Sequence, residues 1–541
     1  MSRSRASGGG ARPSGIDGAL EVLDARELRD LLRDLLRELD LDTRGRVIDR
    51  LVARAARRGI GWVPKGPDEQ AVAEALSFAM AAARDHYADP RAVDRFLRRG
   101  TDAFLRKDYE AARRIFHALL PPIAGADIDL GQDEMADEVL TVDAGQCAAR
   151  YVVSTYVTTD PERRPAAVHA AIRAAGDLGL FREPIAEMEG VAVEPLPDLD
   201  AFLPRWRDLV EKEAARGATR SGWDSDEDRW LREVVRRLEG ADGLAAHARA
   251  TRRGEDLRAW CRALVEAREW KSPLAAFEEA AGAVRDGSHW RGQFLDGAAL
   301  AAQELGRRDL PSRLELAWRA EPSLLRLRRW LGVAPTAARV RSLAADALEA
   351  CPKRDERHRT VLHMLAGDLV SAAKWLTMAP GLGWSSPEHP GHLVFAMFDE
   401  LLGDGDQEAR SGHRPLRARS LDLDELESMS IDPDEPRLHA PEVAEILVAA
   451  GVEGPVRGEA RSAMLAAMRK AAEKRVEGVT KKKRRRYYDH AAQLVATCAA
   501  LDPTPAGGRW VAGLRSRYSR YPALQGEFNE HLGTAHGRGR P

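Results

Sequence analysis

The stretch FLRKDYEAARRIFHALLPP, residues 104–122, decides how this chain folds. Ala112 is small, which lets two helices approach closely, while Phe116 and Leu119 are large enough to fill the space towards a neighbouring pair. Gly100 precedes the segment and Asp108 and Tyr109 sit at its middle. Pro121 and Pro122 are expected to end the second helix, because proline has no N–H to donate and its ring obstructs the preceding turn. Two readings compete: one amphipathic helix, or one copy of a helix pair that recurs along the chain.

The order of residues does recur. REWKSPLAAFEEAAGAV (residues 268–284) sets Trp270, Phe277 and Ala280 at the mutual spacing of Tyr109, Phe116 and Leu119, with Pro273 as an expected helix start. GRRDLPSRLELAWRAEP (306–322) places Asp309, Leu310, Ala317, Ala320 and Pro322 in register. AGDLVSAAKWLTMAP (366–380) does so with Gly367, Asp368, Leu369, Ala372, Leu376, Ala379 and Pro380. Together these fragments resemble the tetratricopeptide repeat (TPR), a short helix pair marked by Gly, Tyr, Ala, Phe and Pro. Gly100, Tyr109, Ala112 and Phe116 match that family's positions for those types, and Leu119 stands where Ala is usual. The copies are about 160, 40 and 59 residues apart, where a regular array repeats every ~34. The resemblance therefore implies an all-α fold of irregular, TPR-like α-solenoid type, with antiparallel helix pairs stacked on one another.

Further helical signals surround these units. In DARELRDLLRDLLREL (24–39) Asp24 can cap the helix while Glu27 reaches back to close a capping box. Leu28, Leu31, Leu32, Leu35, Leu36 and Leu39 form one stripe at three- and four-residue steps, with charges of both signs opposite. The next helix, near residues 46–57, should stop at Gly59. This hairpin needs more helices to cover its apolar side. RYVVSTYVTT (150–159) is the best strand candidate, yet it continues a helical pattern begun at Ala144 and a lone strand would leave its backbone unpaired, so helix is the expectation. YYDHAAQLVATCAAL and WVAGLRSRYSRYPALQGEFNEHL, within 487–532, resemble the terminal helical repeats that follow the zinc-binding module of bacterial SWIM zinc finger proteins. That module needs a CxC and a CxH pair, and the chain has neither, so no zinc chemistry carries over.

Composition shifts suggest the organisation. A glycine-rich tail at 1–20 is followed by an N-terminal helical region at 21–187 with one TPR-like unit. A connection at 188–228 contains prolines that prevent a continuous helix from 188 to 204, and a TPR-like array occupies 229–402. A Gly-, Asp-, Ser- and Pro-rich linker at 403–438 leads to a small C-terminal helical unit at 439–535 and a tail at 536–541.

Charge and cysteine use narrow the function classes. Lys plus Arg (83) nearly balances Asp plus Glu (85), which argues against a surface built throughout for nucleic acid or anionic lipid. Cys147, Cys261, Cys351 and Cys498 are far apart and make no CxxC pair, as expected of free thiols in a cytoplasmic protein. No run approaches ~18 apolar residues, so a membrane helix is not expected. The Ala- and Arg-rich composition suits a bacterium with a GC-rich genome.

Chemical motifs are sparse. DIDLGQDEMADE (127–138) offers Asp127, Asp129, Asp133 and Glu138 at calcium-loop positions, but Gln132 stands where the sharp turn needs Gly. His358 with His363, and His389 with His392 beside Glu388 and Cys351, match no zinc spacing. No GxSxG, HExxH or phosphate loop occurs, so no catalytic, cofactor-binding or metal residue is assigned. One charge run stands out: Lys481, Lys482, Lys483, Arg484, Arg485 and Arg486, followed by Tyr487 and Tyr488. The cations could neutralise phosphates and the tyrosines could stack on bases. The same run also suits a solvated surface loop leading into a helix that buries Tyr488, Ala491, Ala492 and Val495 on one side. The expected role is a non-catalytic scaffold or adaptor with a protein or peptide partner. The alternatives are a nucleic-acid-associated protein using 481–486 and an enzyme with a site between helices.

Overall fold

The computed structural model describes residues 20, 22–58, 62–65, 69–131, 136–221, 224–352, 355–382, 384, 389–403 and 436–532. Among these residues regular structure is helical throughout, and the sole β pairing is an isolated bridge between Tyr87 and Asp129. The all-α expectation holds, including at residues 150–158, which lie in a helix despite their Val, Thr and Tyr content. None of the described helices is long and apolar enough to cross a membrane. The chain divides into two compact units, Met1–Ala246 and His247–Pro541.

The first unit contains α1 (Ala25–Glu38), α2 (Leu41–Arg57), α3 (Glu69–Asp85), α4 (Pro90–Leu105) and α5 (Tyr109–Ala124). It continues with α6 (Ala144–Thr158), α7 (Arg164–Ala175), α8 (Pro184–Val191) and α9 (Leu199–Ser221). Helices adjacent in sequence pack side by side from α4 to α7. The pair α4–α5 carries the opening stretch. Ala112, Phe116 and Leu119 are fully buried, and a methyl group placed on Gly100 would lie 2.9 Å from Phe116 Cε1. The small residue on one helix thus admits the large one on the next, as ridge-into-groove packing requires. α6 is buried on nearly all sides, and Phe202, Trp206 and Trp230 stack in series behind α7.

The helix containing Asp226–Thr251 (α10) leaves helical geometry at Gly240, where φ is +65°. The second unit then runs through α11 (Gly254–Glu266), α12 (Lys271–Ala283), α13 (His289–Glu304), α14 (Leu310–Ala320), α15 (Leu324–Gly332) and α16 (Ala337–Ala350). After them come α17 (Glu356–Leu365), α18 (Leu369–Met378), α19 (Gly391–Leu402), α20 (Val443–Ala449), α21 (Gly458–Lys481), α22 (Tyr488–Leu501), α23 (Pro505–Arg517) and α24 (Pro522–Leu532). Residues 443–532, read from sequence as a small unit of their own, contribute to the same hydrophobic cluster as residues 299–402.

One turn recurs between paired helices. At Lys107, Gly306 and Gly367 the chain enters the left-handed region, with φ of 67°, 61° and 85°. In each case the next N–H reaches back to a carbonyl of the last helical turn: Asp108 to Ala103, Arg307 to Ala302, Asp368 to His363. These are the bonds of a Schellman cap. Asp108 and Asp368 then cap the following helix by accepting from Ala111 N and Ser371 N.

Several proline expectations need correction. Pro121 and Pro122 do not end α5, which runs on to Ala124; they occupy its last turn, where the Pro121 carbonyl accepts from Gly125 N and the Pro122 carbonyl from Asp127 N. The break expected across 188–204 is present, between Val191 and Leu199, but Pro204 itself is the sixth residue of α9 and does not mark it. Helix α12 begins at Lys271, two residues before Pro273. Gly59, the stop expected for α2, lies outside the described residues, as do the tails except for Leu20 and all of the expected linker except 403 and 436–438.

Candidate functional site

The basic run is split between three elements. Lys481 ends α21, Lys482 and Lys483 close it in a turn with Lys483 at φ 52°, and Arg485–Tyr487 form a single 3-10 turn before α22. All six cations are exposed, and none forms an ion pair among the described residues. Position at a helix C-terminus already favours such charges, because the last carbonyls point at them. The two tyrosines differ. Tyr488 is 3% exposed and belongs to the core, since helical pitch turns it inward with Ala491, Ala492 and Val495; it is unavailable for stacking on a base. Tyr487 is half-buried, with the guanidinium carbons of Arg475 and Arg486 5.1 Å and 4.7 Å from the centre of its ring.

Beside it lies a cleft of about 410 Å³ lined by Trp384, His392, Arg475, Tyr487 and His490 among others. Trp384 stacks on His389 at 4.5 Å and meets His490 edge-on at 4.9 Å. This unites His389 and His392 with α22, a grouping that sequence spacing does not show. His358 is buried elsewhere, and His363 pairs with Asp368 at 3.5 Å. Of the acidic cluster, Asp129 accepts from Gly131 N, while Asp133 and Gln132 lie outside the described residues, as does Glu388. Among the described residues the one group with metal-ligand spacing is Asp489, Glu527 and His531, whose donor atoms lie within 4.8 Å of one another. A hydrogen bond between Asp489 and His531, at 2.6 Å, accounts for the approach of two of the three. Burial raises the thiols of Cys147 and Cys351 to about 11 and of Cys261 to about 12, so none is a thiolate nucleophile at neutral pH.

A larger cavity, about 730 Å³, lies in the first unit between α2, α4, α6 and the loop after α7. Asp94 on α4 anchors the loop before α6 by accepting from Thr141 N (3.0 Å), Val142 N (3.1 Å) and the Thr141 hydroxyl (2.6 Å). Asp143 then caps α6 through Gln146 N at 2.8 Å. Arg98 donates to both Asp49 oxygens and to Thr141, tying α2 to the same loop. Arg150 of α6 lines the cavity at 6% exposure. Its Nη2 donates to Gln146 Oε1 (2.7 Å) and its Nη1 to Thr101 Oγ1 (3.3 Å), while its buried Nε has no partner. Asp102, also on the wall, is raised to about 6 by burial and secondarily by Asp49.

A third surface is apolar. On α1 no residue is buried, and Leu31 and Leu35 are 46% and 47% exposed. On and after α2, Leu41, Ile48, Leu51, Trp62 and Val63 are exposed as well. Arg150 and this cavity went unmarked by sequence motifs. The available signal was that Arg150 is the single charged residue between Asp143 and Asp160. Comparison with protein-family models, curated proteins and solved structures yields no match.

Proposed function

We propose that the chain is a non-catalytic scaffold or adaptor, assembled from TPR-like helix pairs and holding a protein or peptide partner on helical surface. The observation that carries this reading is the open leucine stripe of α1. A surface helix normally hides such a stripe, and burying one Leu side chain is worth about 1.5–3 kcal/mol. Here Leu31 and Leu35 remain open on the edge next to Glu27, Asp34 and Glu38, whereas Arg29 and Arg33 flank the other edge. An amphipathic helix with basic residues along one border complements that face. Four buried free thiols suit a reducing cytoplasm.

The test is site-specific photocrosslinking from position 35 in living cells, with Leu31→Glu/Leu35→Glu as control. The expected result is a protein crosslinked by the parent chain and lost in the charged variant. The same crosslinks from both, or none, count against the reading.

A second reading, contact with nucleic acid through 481–486, is favoured by six exposed cations without acidic partners. Binding of labelled DNA and RNA should then weaken steeply with salt, by a log–log slope of about −0.7 to −0.9 per phosphate neutralised. Replacing the six residues with Ala should flatten that slope, and an unchanged slope rejects the segment as the site.

A further inference from the structure

Three buried guanidinium groups among the described residues pair with a carboxylate. Arg164 pairs with Asp198 at 3.1 Å, Arg326 with Asp296 at 2.8 Å, and Arg328 with Glu442 at 3.2 Å. Arg475 has an aromatic face instead, that of Tyr487. Arg150 has neither. Its two hydrogen-bond acceptors are a neutral amide oxygen and a neutral hydroxyl. An arginine carries five N–H donors, and the two bonds leave Nε–H unused although it is shielded from water. A buried cation without a counter-charge costs several kcal/mol, and a second guanidinium nearby, Arg57, adds repulsion: burial and then Arg150 lower its pKa. Among the described residues only the hydrogen bonds to Gln146 and Thr101 answer this charge directly, and no ion pair joins it to the aspartates of the wall. An anion entering the cavity supplies that pair.

The cavity wall indicates which anion. Five cationic and four acidic side chains line it, leaving one positive charge when all are ionised. That surplus matches a carboxylate better than a phosphate dianion. The apolar part of the wall is formed by Ile48, Val52, Trp62, Leu140, Leu178 and Leu180, beside the polar Thr101, Thr141 and Gln146. A volume near 730 Å³ falls in the range of small-molecule sites.

We propose that this cavity binds a small organic monoanion, its carboxylate paired with Arg150 and its apolar body lying against Ile48, Trp62 and Leu178. The proposal is tested apart from the partner-binding reading above, which is probed at Leu31 and Leu35, although Ile48 and Trp62 also belong to the exposed apolar surface. The chemistry is recognition alone; no bond is made or broken.

Calorimetric titration of the full chain with octanoate and with octanamide tests it, the two probes differing in charge and not in tail. The parent protein should bind octanoate about ten- to a hundredfold more tightly than octanamide, the range that a charge-assisted hydrogen bond commands. Arg150→Met should erase that preference. Because it replaces an uncompensated buried charge with an apolar chain of similar length, it should also melt at the same or a higher temperature without ligand. Trp62→Ala, at a half-exposed position, should weaken octanoate and leave acetate unchanged, and it serves if Arg150→Met fails to fold. Equal binding of both probes, no binding of octanoate at millimolar concentration, or a lower melting temperature of folded Arg150→Met overturns the proposal.

Discussion

His389 shows how far a single side chain here is defined by its backbone neighbours. Its Nε2–H donates to the Pro380 carbonyl at 2.9 Å, and its Nδ1 accepts from Gly391 N at 3.1 Å. Both ring nitrogens are used only if the imidazole is neutral. Burial, and to a lesser degree His392 and Arg475, lowers its pKa to about 4, against the opposing pull of the Pro380 carbonyl. The unfolded chain therefore binds this proton more readily than the folded one between pH 6.5 and 4. Stability contributed by the site is complete above pH 6.5 and is lost as the pH falls towards 4, by about 2 kcal/mol at pH 5. Urea unfolding at pH 7.5 and pH 5 should show this loss in the parent protein and a smaller one in His389→Gln; identical losses would rule the histidine out as their source. Sequence spacing placed His389 in no zinc pattern, and its partners are backbone groups brought together by a turn.

The recurring turn belongs to the scale of the element. Where Gly367 adopts φ 85°, a methyl group would meet only Arg341 Cδ, at 3.8 Å, so substitution strains the backbone and not the packing. Gly367→Ala should destabilise the second unit by about 1–2 kcal/mol, the cost of a left-handed L-residue. Lys107 occupies the equivalent place before α5 with φ 67°. Lys107→Gly should act in the opposite direction and raise stability by up to ~1 kcal/mol, reduced by loss of the exposed pair with Glu194. Thermal melts of both variants check the signs; a stabilising Gly367→Ala would refute the strain argument. Most elements were legible before any coordinates because their signals are local. The Asp24–Glu27 capping box is present as drawn from sequence, and α6 follows from continuity of pattern. The prolines of α5 were misread as a stop because the helix carries on past them to Ala124, and only the bonds that close its end, to the carbonyls of Pro121 and Pro122, reveal it.

At the scale of the molecule, the second unit draws one hydrophobic core from both sides of residues 404–435. Lys474 of α21 donates to the carbonyls of Thr377 (2.7 Å) and Ala379 (3.0 Å), and Arg461 joins Leu402 to Leu501. A chain ended at residue 403 should keep helical circular dichroism but lose its cooperative transition in this unit and bind a hydrophobic dye. Retention of a sharp transition would show that 247–403 holds a sufficient core. Apolar periodicity, caps and the spacing of small and large residues determined the helices, the all-α class and the α4–α5 pairing, since each depends on residues a few positions apart. Tertiary structure alone decided that Tyr488 is core, that α20–α24 complete the core of α13–α19, and that Arg150 faces a cavity without pairing to any of its four carboxylates. Those outcomes depend on which distant groups share a low-dielectric space, and no short-range pattern encodes the missing counter-charge.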